Sequence, residues 1–412
     1  MFFSFLCAET LVIKGASKPC HVLLKSHNFP EAFQDVEKTI HEDLDTSLRF
    51  DTRYSSDPYL YMIDLNCQYI TGSECDIIIN IHDNATKELR HTCHIKATTK
   101  KNNWRAISHT ISNFIFEKIQ GVKGPFCTKI AFVKRFPTEP IKSRIFMCDY
   151  DGQNQKLLFE NKNIVVGLHF SKDGKYLIYR TLHPRTGQHV WIYDLLMGRS
   201  IDVSHLLTQG MGRDILGKNI SALSFGSSPD ELIFARSHRG STTLHSYNLK
   251  TKQLLSIAHP QRYIIQTCPV KSPDGQQLFF SADTLGRENI YCITNNGATQ
   301  RLPSNETLDY SQPILCENRL FFSARGKGYA GIFYVDHGKD DFENTQPIPI
   351  VAMYRPHFVE KPIPLSPGFV CYIADKSIRI VDIKGNEISK PNGIALLSHL
   401  GGNITDISAF IG

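Results

Sequence analysis

Two periods of hydrophobicity divide the chain. Over residues 30–47, "PEAFQDVEKTIHEDLDTS", Phe33, Val36, Ile40 and Leu44 fall three or four residues apart behind a proline suited to a helix start. That spacing puts one apolar stripe on a helix. "CDIIINIH" (75–82) reads as a short buried strand, "DNAT" (83–86) as a turn, and "HTCHIKAT" (91–98) as a second strand. Over 103–121, "NWRAISHTISNFIFEKIQG" sets Ile107, Ile111, Phe114 and Ile119 on one helical face, with Gly121 fitting the position after the last turn. The prediction for residues 9–124 is a small α/β domain of two helices on a short sheet.

From Thr128 onward helical periodicity stops, and short strands rich in Ile, Val, Phe and Tyr alternate with Gly, Pro, Asp and Asn turns. They repeat. "FSKDGKYLIYR" (170–180), "FGSSPDELIFAR" (225–236), "VKSPDGQQLFFSA" (270–282) and "ILCENRLFFSA" (314–324) each read strand, tight turn, strand. Their turn residues Asp173, Asp230, Asp274 and Asn318 step by 57, 44 and 44 residues, and the long first step holds the insertion "LLTQGMGRDILGK" (206–218). A related turn, "LSPGF" (365–369), follows. Third strands align as "SRIFMCD", "HVWIYD", "TLHSYN", "NIYCIT", "GIFYVD" and "SIRIVD". A four-stranded unit of this length, six times over, predicts a six-bladed β-propeller across residues 125–412. Blade one lacks a first strand, and the C-terminal "NITDISAFIG" (403–412) is the spare. It is expected to become the innermost strand of blade one, closing the ring and hiding sheet edges.

Composition narrows the function. With 41% hydrophobic and 21% charged residues the chain is an ordinary globular one, and a net charge of +6, dispersed along it, gives no phosphate-tracking run for nucleic acid. No apolar run approaches the ~20 residues of a membrane helix. "MFFSFLCA" (1–8) looks like the tail of a secretory signal, which implies an exported protein. Eleven cysteines include no CxxC pair. "HTCH" (91–94) alternates across a strand and lacks the further ligands zinc needs. G-x-S-x-G is absent, since "GASKP", "TGSEC" and "FGSSPD" all fail it, and so are Walker, GxGxxG and HExxH patterns. No catalytic residue, metal ligand or cofactor is expected, and binding is favoured over catalysis.

The junction carries a resemblance. The helix ending in FEK-x-x-G, the linker "GVKGPF" and the turn "DYDGQNQ" (149–155) are similar to the TolB family of propeller proteins of the Tol–Pal envelope system. The order of signal, α/β domain and six blades agrees along nearly the whole chain. What the resemblance implies is a non-enzymatic, periplasmic protein-binding component. It would bind a peptidoglycan-associated lipoprotein (Pal) on the propeller face and a TolA-like protein through the mature N-terminal segment, supporting outer-membrane integrity and cell division. Here that segment would hold Glu9, Leu11, Val12 and Ile13, which read equally as a strand added to a partner or as an edge strand of the protein's own domain. The alternative is a cytosolic or exported propeller scaffold with an unrelated protein partner.

The repeats themselves suggest a binding face. Loops between second and third strands carry Arg185, Arg239, Arg287, and Arg325 with Lys327; Lys134 and Arg135 precede the loop of blade one, and Lys376 serves blade six. In a propeller these become a basic ring around one channel mouth, able to steer an acidic partner. Gly167, His169, Asn219, Thr267, Gln312 and His357 enter the innermost strands at the same face and form the expected contact rim. "DYDG" resembles the start of a calcium loop, yet Asp149 falls in the slot of Asp194, Asn248, Thr294, Asp336 and Asp382, each the polar end of a third strand. It is therefore read as a turn, with Gly152 supplying positive φ.

Overall fold

The computed structural model describes residues 19–29, 31–33, 35–52, 59–71, 74–98, 104–136, 142–208, 220–238, 241–257, 265–284, 286–304, 307–337, 342–354, 359–374, 377–384 and 403–411. The expected signal remnant, Pro30 and the N-terminal partner segment with Glu9, Leu11, Val12 and Ile13 lie outside the described residues.

The N-terminal unit is built on β1 (Cys20–His27), α1 (Asp35–Thr46), β2 (Phe50–Asp51), β3 (Tyr61–Thr71), β4 (Glu74–Asp83) and β5 (Leu89–Thr98). The sheet runs β2-β1-β3-β4-β5, with β1 parallel to β2 and β3 and the other pairs antiparallel. Val36, Ile40 and Leu44 are the buried stripe of α1, as their spacing predicts. In β4 only alternate residues are buried, Cys75, Ile77, Ile79 and Ile81, so the run that read as a fully buried strand is covered on one face. The other face is polar: His94 Nδ1 lies 2.7 Å from Asp76 Oδ2 and Thr92 Oγ1 donates to Asn80 at 2.9 Å.

The second helix, α2 (Trp104–Gln120), expected in the N-terminal domain, belongs to the same compact unit as the blades. Its buried stripe is Ile107, Ile111, Ile115 and Phe116, while Phe114 and Ile119 are only half-buried. The stripe turns because of its partner: the Phe116 ring meets Phe126 and Phe369 edge-on at 5.6 and 5.7 Å, and Phe126 meets Tyr150 at 5.4 Å. Burying a ring such as Phe116 contributes roughly 1.5–3 kcal/mol.

Six blades follow. Blade one orders as β28-β6-β7-β8, from β6 (Lys129–Phe136), β7 (Lys142–Asp149), β8 (Lys156–Asn161) and β28 (Asn403–Phe410). Blade two is β9 (Ile164–Phe170) to β12 (Arg199–Asp202), with β10 (Tyr176–His183) and β11 (Gly187–Asp194) between, and a short α3 (Ser204–Leu207) after it. Blade three is β13 (Ile220–Phe225), β14 (Glu231–His238), β15 (Ser241–Asn248) and β16 (Leu254–Ser256). Blade four is β17 (Ile265–Lys271), β18 (Gln277–Thr284), β19 (Arg287–Thr294) and β20 (Thr299–Arg301). Blade five is β21 (Leu308–Cys316), β22 (Arg319–Gly326), β23 (Tyr329–Asp336) and β24 (Ile348–Tyr354). The described residues give blade six three strands, β25 (Val359–Ser366), β26 (Phe369–Ala374) and β27 (Ser377–Asp382).

Closure is as expected: β28 pairs antiparallel with β6, from Asn403 opposite Arg135 to Phe410 opposite Lys129. The six third strands end at Asp149, Asp194, Asn248, Thr294, Asp336 and Asp382, the six aligned polar residues. In blades two and three their side chains hold the turns that follow. Asp194 accepts from the Leu196 and Met197 N–H groups and Asn248 from those of Lys250 and Thr251, all at 2.9 Å. The core lies in the seams between sheets. Ile178, Val190, Leu223 and Phe234 join blades two and three; Phe279, Ile290, Leu320 and Phe322 join blades four and five.

Candidate functional site: the channel lined by the innermost strands

Each innermost strand breaks its register with its neighbour at a similar place, and β25 does so a second time at Leu365. The breaks fall at Gly167–Leu168, Ser221, Cys268–Pro269, Gln312–Pro313, Lys361–Pro362 and Thr405. A bulge re-aims the side chain it carries. Gly167, Cys268, Gln312 and Lys361 all take positive φ there, between 49° and 67°. The slot, filled by Asp406 just after the break of blade one and by Gly167, Ser221, Cys268, Gln312 and Lys361 at the breaks of blades two to six, lines one central cavity of about 260 Å³.

Hydrogen bonds run through this slot from blade to blade and close on themselves. Asp406 of blade one accepts from the backbone N–H of Gly167 at 2.5 Å and of Leu168 at 3.4 Å in blade two. Arg180 of blade two donates to the Ile220 carbonyl at 2.7 Å, and Ser224 of blade three donates to the Pro269 carbonyl at 2.7 Å. Ser281 of blade four accepts from the Gln312 N–H at 3.1 Å, and the Gln312 side chain accepts from the Lys361 N–H at 2.8 Å. The Lys361 ammonium returns to Asp406 as an ion pair. A side chain at Gly167 would press on this ring, because a Cβ there would lie 3.0 Å from Arg180 Nε.

The channel's charged groups are Arg180, Lys361 and Asp406, an excess of one positive charge. Burial pushes the His169 imidazole down to about 4; Asp406 opposes this, and Lys361 and Arg180 add to it. His169 is therefore a neutral hydrogen-bonding group at pH 7.

Of the expected rim, Gly167, His169 and Gln312 do line the channel. Thr267 sits one residue before the slot and its hydroxyl lies 3.5 Å from Glu288. Asn219 and His357 lie outside the described residues. Sequence reading missed Arg180, Ser221, Cys268, Lys361 and Asp406. A signal was present in "CPV" (268–270), "QPI" (312–314) and "KPI" (361–363), the same residue-Pro-aliphatic step in three successive blades. Proline inside a strand marks a bulge or an edge.

Arg185, Arg287, Arg325 and Lys327 of the expected ring are exposed. Arg239 and Lys376 lie outside the described residues, and Lys134 of blade one is buried, at 3% exposure, which lowers its pKa. Arg287, Arg325 and Lys327 share one groove. Beside it, burial and then the neighbouring Asp309 push the Glu288 carboxyl up to about 6.

A second polar cluster surrounds the "DYDG" turn. His109, Asp149 and Asp151 offer three ligand atoms within 4.8 Å of one another. Cations already occupy this ground: Arg105 pairs with Asp151 and lies 3.8 Å from Asp149, and Lys129 pairs with Asp149. Asn154 donates to Asp149 at 2.7 Å and His109 Nε2 stands 3.7 Å away. Burial alone would raise the Asp149 pKa; His109, Lys129 and Asn154 outweigh it and hold the carboxyl well below the usual range. Gly152 turns the chain at φ 80°. The cluster fastens α2 to blade one.

Comparison with known proteins places this architecture. A family model described as "TolB beta propeller domain" matches residues 116–344, more than half of the chain. The Tol-Pal system protein TolB of Francisella tularensis subsp. mediasiatica is 30% identical over 233 residues, 53% of this chain and 50% of that protein. The Tol-Pal system protein TolB of Blochmanniella pennsylvanica is 40% identical over 77 residues, 19% of this chain and 17% of its own. The chain thus spans half or less of the length of these curated relatives. Among solved structures, TolB from Acinetobacter baumannii superposes with a TM-score of 0.76 at 17% identity, covering 96% of this chain and 97% of that one.

Proposed function

The chain belongs to the TolB β-propeller family, and on that premise we propose that it is the propeller component of a Tol–Pal system, working in the periplasm by binding proteins rather than by catalysis. A peptidoglycan-associated lipoprotein docks over the channel mouth, and a TolA-like protein takes the N-terminal segment that begins near Glu9. The chain then links the outer-membrane side of the envelope to inner-membrane Tol proteins.

One observation carries the reading of the propeller. Six bulged strands bring six different residues to one channel, and Arg185, Arg287, Arg325 and Lys327 are exposed at or beside the loops that join second to third strands. A rigid mouth of varied hydrogen-bonding groups with excess positive charge suits recognition of an acidic partner. The carboxylate that lines the channel is not free, because Asp406 is held by Lys361 and by two backbone N–H groups. A catalytic carboxylate would need to be free to reach a substrate.

The test is direct binding. Purified chain is titrated with the soluble domain of a peptidoglycan-associated lipoprotein from the same organism at low and high salt. Saturable binding that weakens with salt, and weakens further on Arg185→Glu together with Arg287→Glu, is expected. Binding that ignores both salt and charge reversal removes the basic face from the reading.

A further inference from the structure

The basic face is not uniform. Arg287, Arg325 and Lys327 gather on one groove of about 1360 Å³ at the seam of blades four and five. That exceeds the roughly 300–1,000 Å³ of a small-molecule site. Buried Tyr310 and Phe333 contribute an apolar floor. An adjoining hollow of about 390 Å³ shares Arg287, Ser304 and Leu308 with it and adds Arg301, which donates to Ser304 at 3.2 Å. Four cations thus face two acids, Asp309 and Glu288. Among the described residues none of Arg287, Arg301 and Lys327 is in an ion pair.

The backbone adds a second observation. The outer strand β20 is only three residues long and pairs with Tyr291–Ile293 of β19. The Leu302 N–H then bonds the Ile290 carbonyl, so among the described residues the backbone of Glu288 is the outward-facing part of β19 with no strand beside it, and Arg287 and Glu288 both line the adjoining hollow. An uncovered edge beside a groove is where an extended peptide adds as a strand, with main-chain bonds giving affinity and flanking side chains giving specificity.

We propose that this groove holds an extended acidic segment of a polypeptide partner, laid across the seam past the Glu288 backbone, with carboxylates on Arg287, Arg301 and Lys327 and an apolar side chain on the Tyr310–Phe333 floor. The proposal rests on the protein-binding reading of the propeller and narrows it to one seam and one chemistry. The floor selects against a bare polyanion, because a sugar sulfate or lipid phosphate leaves it uncovered.

The probe is a fluorescein-labelled ten-residue peptide of alternating glutamate and leucine, with a lysine-for-glutamate counterpart, followed by anisotropy on the full chain. The glutamate peptide is expected to bind and the lysine peptide not to. Arg287→Glu with Lys327→Glu weakens binding about tenfold or more, and Arg287→Gln with Lys327→Gln weakens it less. The exposed Arg199→Glu on blade two has no effect, with thermal melts confirming that all variants fold. Three results overturn the proposal. The first is no binding of the glutamate peptide. The second is an equal loss from Arg185→Glu on blade two, which leaves a diffuse basic face and the lipoprotein reading intact. The third is displacement of the peptide by heparin or by anionic phospholipid vesicles at lower charge concentration than by unlabelled peptide.

Discussion

Replacing Asp149 by asparagine tests how the propeller holds its helix. The Asp149 side chain is 3% exposed and meets Lys129, Arg105, His109 and Asn154. Asparagine keeps the shape and removes the charge. Breaking a buried ion pair by neutralising one partner costs about 3–5 kcal/mol. The low end applies, because Lys129 is 41% exposed and Arg105 keeps Asp151. The expected loss at pH 7 is therefore about 3 kcal/mol, roughly a 4–5 °C fall in Tm for a unit of this size. The pH dependence fixes the cause. A carboxyl depressed in the folded state contributes stability that is complete above its unfolded pKa of about 4 and drains away as pH falls toward the folded value. The gap between parent and variant then shrinks by about 1.4 kcal/mol per pH unit below about 4. Urea unfolding at pH 7 and pH 3 with matched m-values reads both. A gap under about 0.5 kcal/mol at pH 7, or one equally large at pH 3, refutes the reasoning.

Three further outcomes follow from the channel and the closure. Asp406→Ala strands the Lys361 ammonium and two backbone N–H groups, and is expected to lose about 3 kcal/mol in urea unfolding; adding Lys361→Ala recovers part, seen as a coupling in the double-mutant cycle. Deleting residues 403–412 removes the innermost strand of blade one and opens β6, so size-exclusion chromatography with light scattering should show self-association where the parent elutes as a single species. His169 stays neutral in the folded protein down to about 4, so the unfolded chain binds the extra proton as pH drops from about 6.5. Stability contributed at this position is therefore complete above 6.5 and falls toward pH 4; His169→Gln removes that slope, and an unchanged slope between pH 7 and 4.5 contradicts the placement.

The blades were legible because each repeats a local chemistry. A polar residue ends every third strand, and the turns after Ser171 and Ser272 reuse an aspartate that bonds its own neighbourhood, Asp173 and Asp274. The channel slot was not legible in the same way. A bulge shifts the two-residue alternation by one, so the side chains that reach the axis stand out of phase with the strand pattern, and chemically unlike residues such as Ser221, Cys268 and Lys361 share one position. Only the prolines after Cys268, Gln312 and Lys361 betrayed it. The stripe of α2 was plain in the sequence, but an apolar stripe does not name the surface that covers it; the ring contacts of Phe116 do. Recurrence alone made Lys134 a mouth cation, whereas its place opposite Ile404 on the innermost strand buries it.

The proposed role of the channel mouth is protein binding. Calorimetric titration of the chain with the soluble domain of its organism's peptidoglycan-associated lipoprotein, beside the same titration of Gln312→Trp, tests it most directly. Gln312 lines the channel, and the indole fills the mouth. One-to-one binding by the parent chain is expected, with a loss of at least tenfold in affinity for a Gln312→Trp variant that melts as the parent does. Equal affinity for the two proteins, or no heat of binding with either, contradicts it.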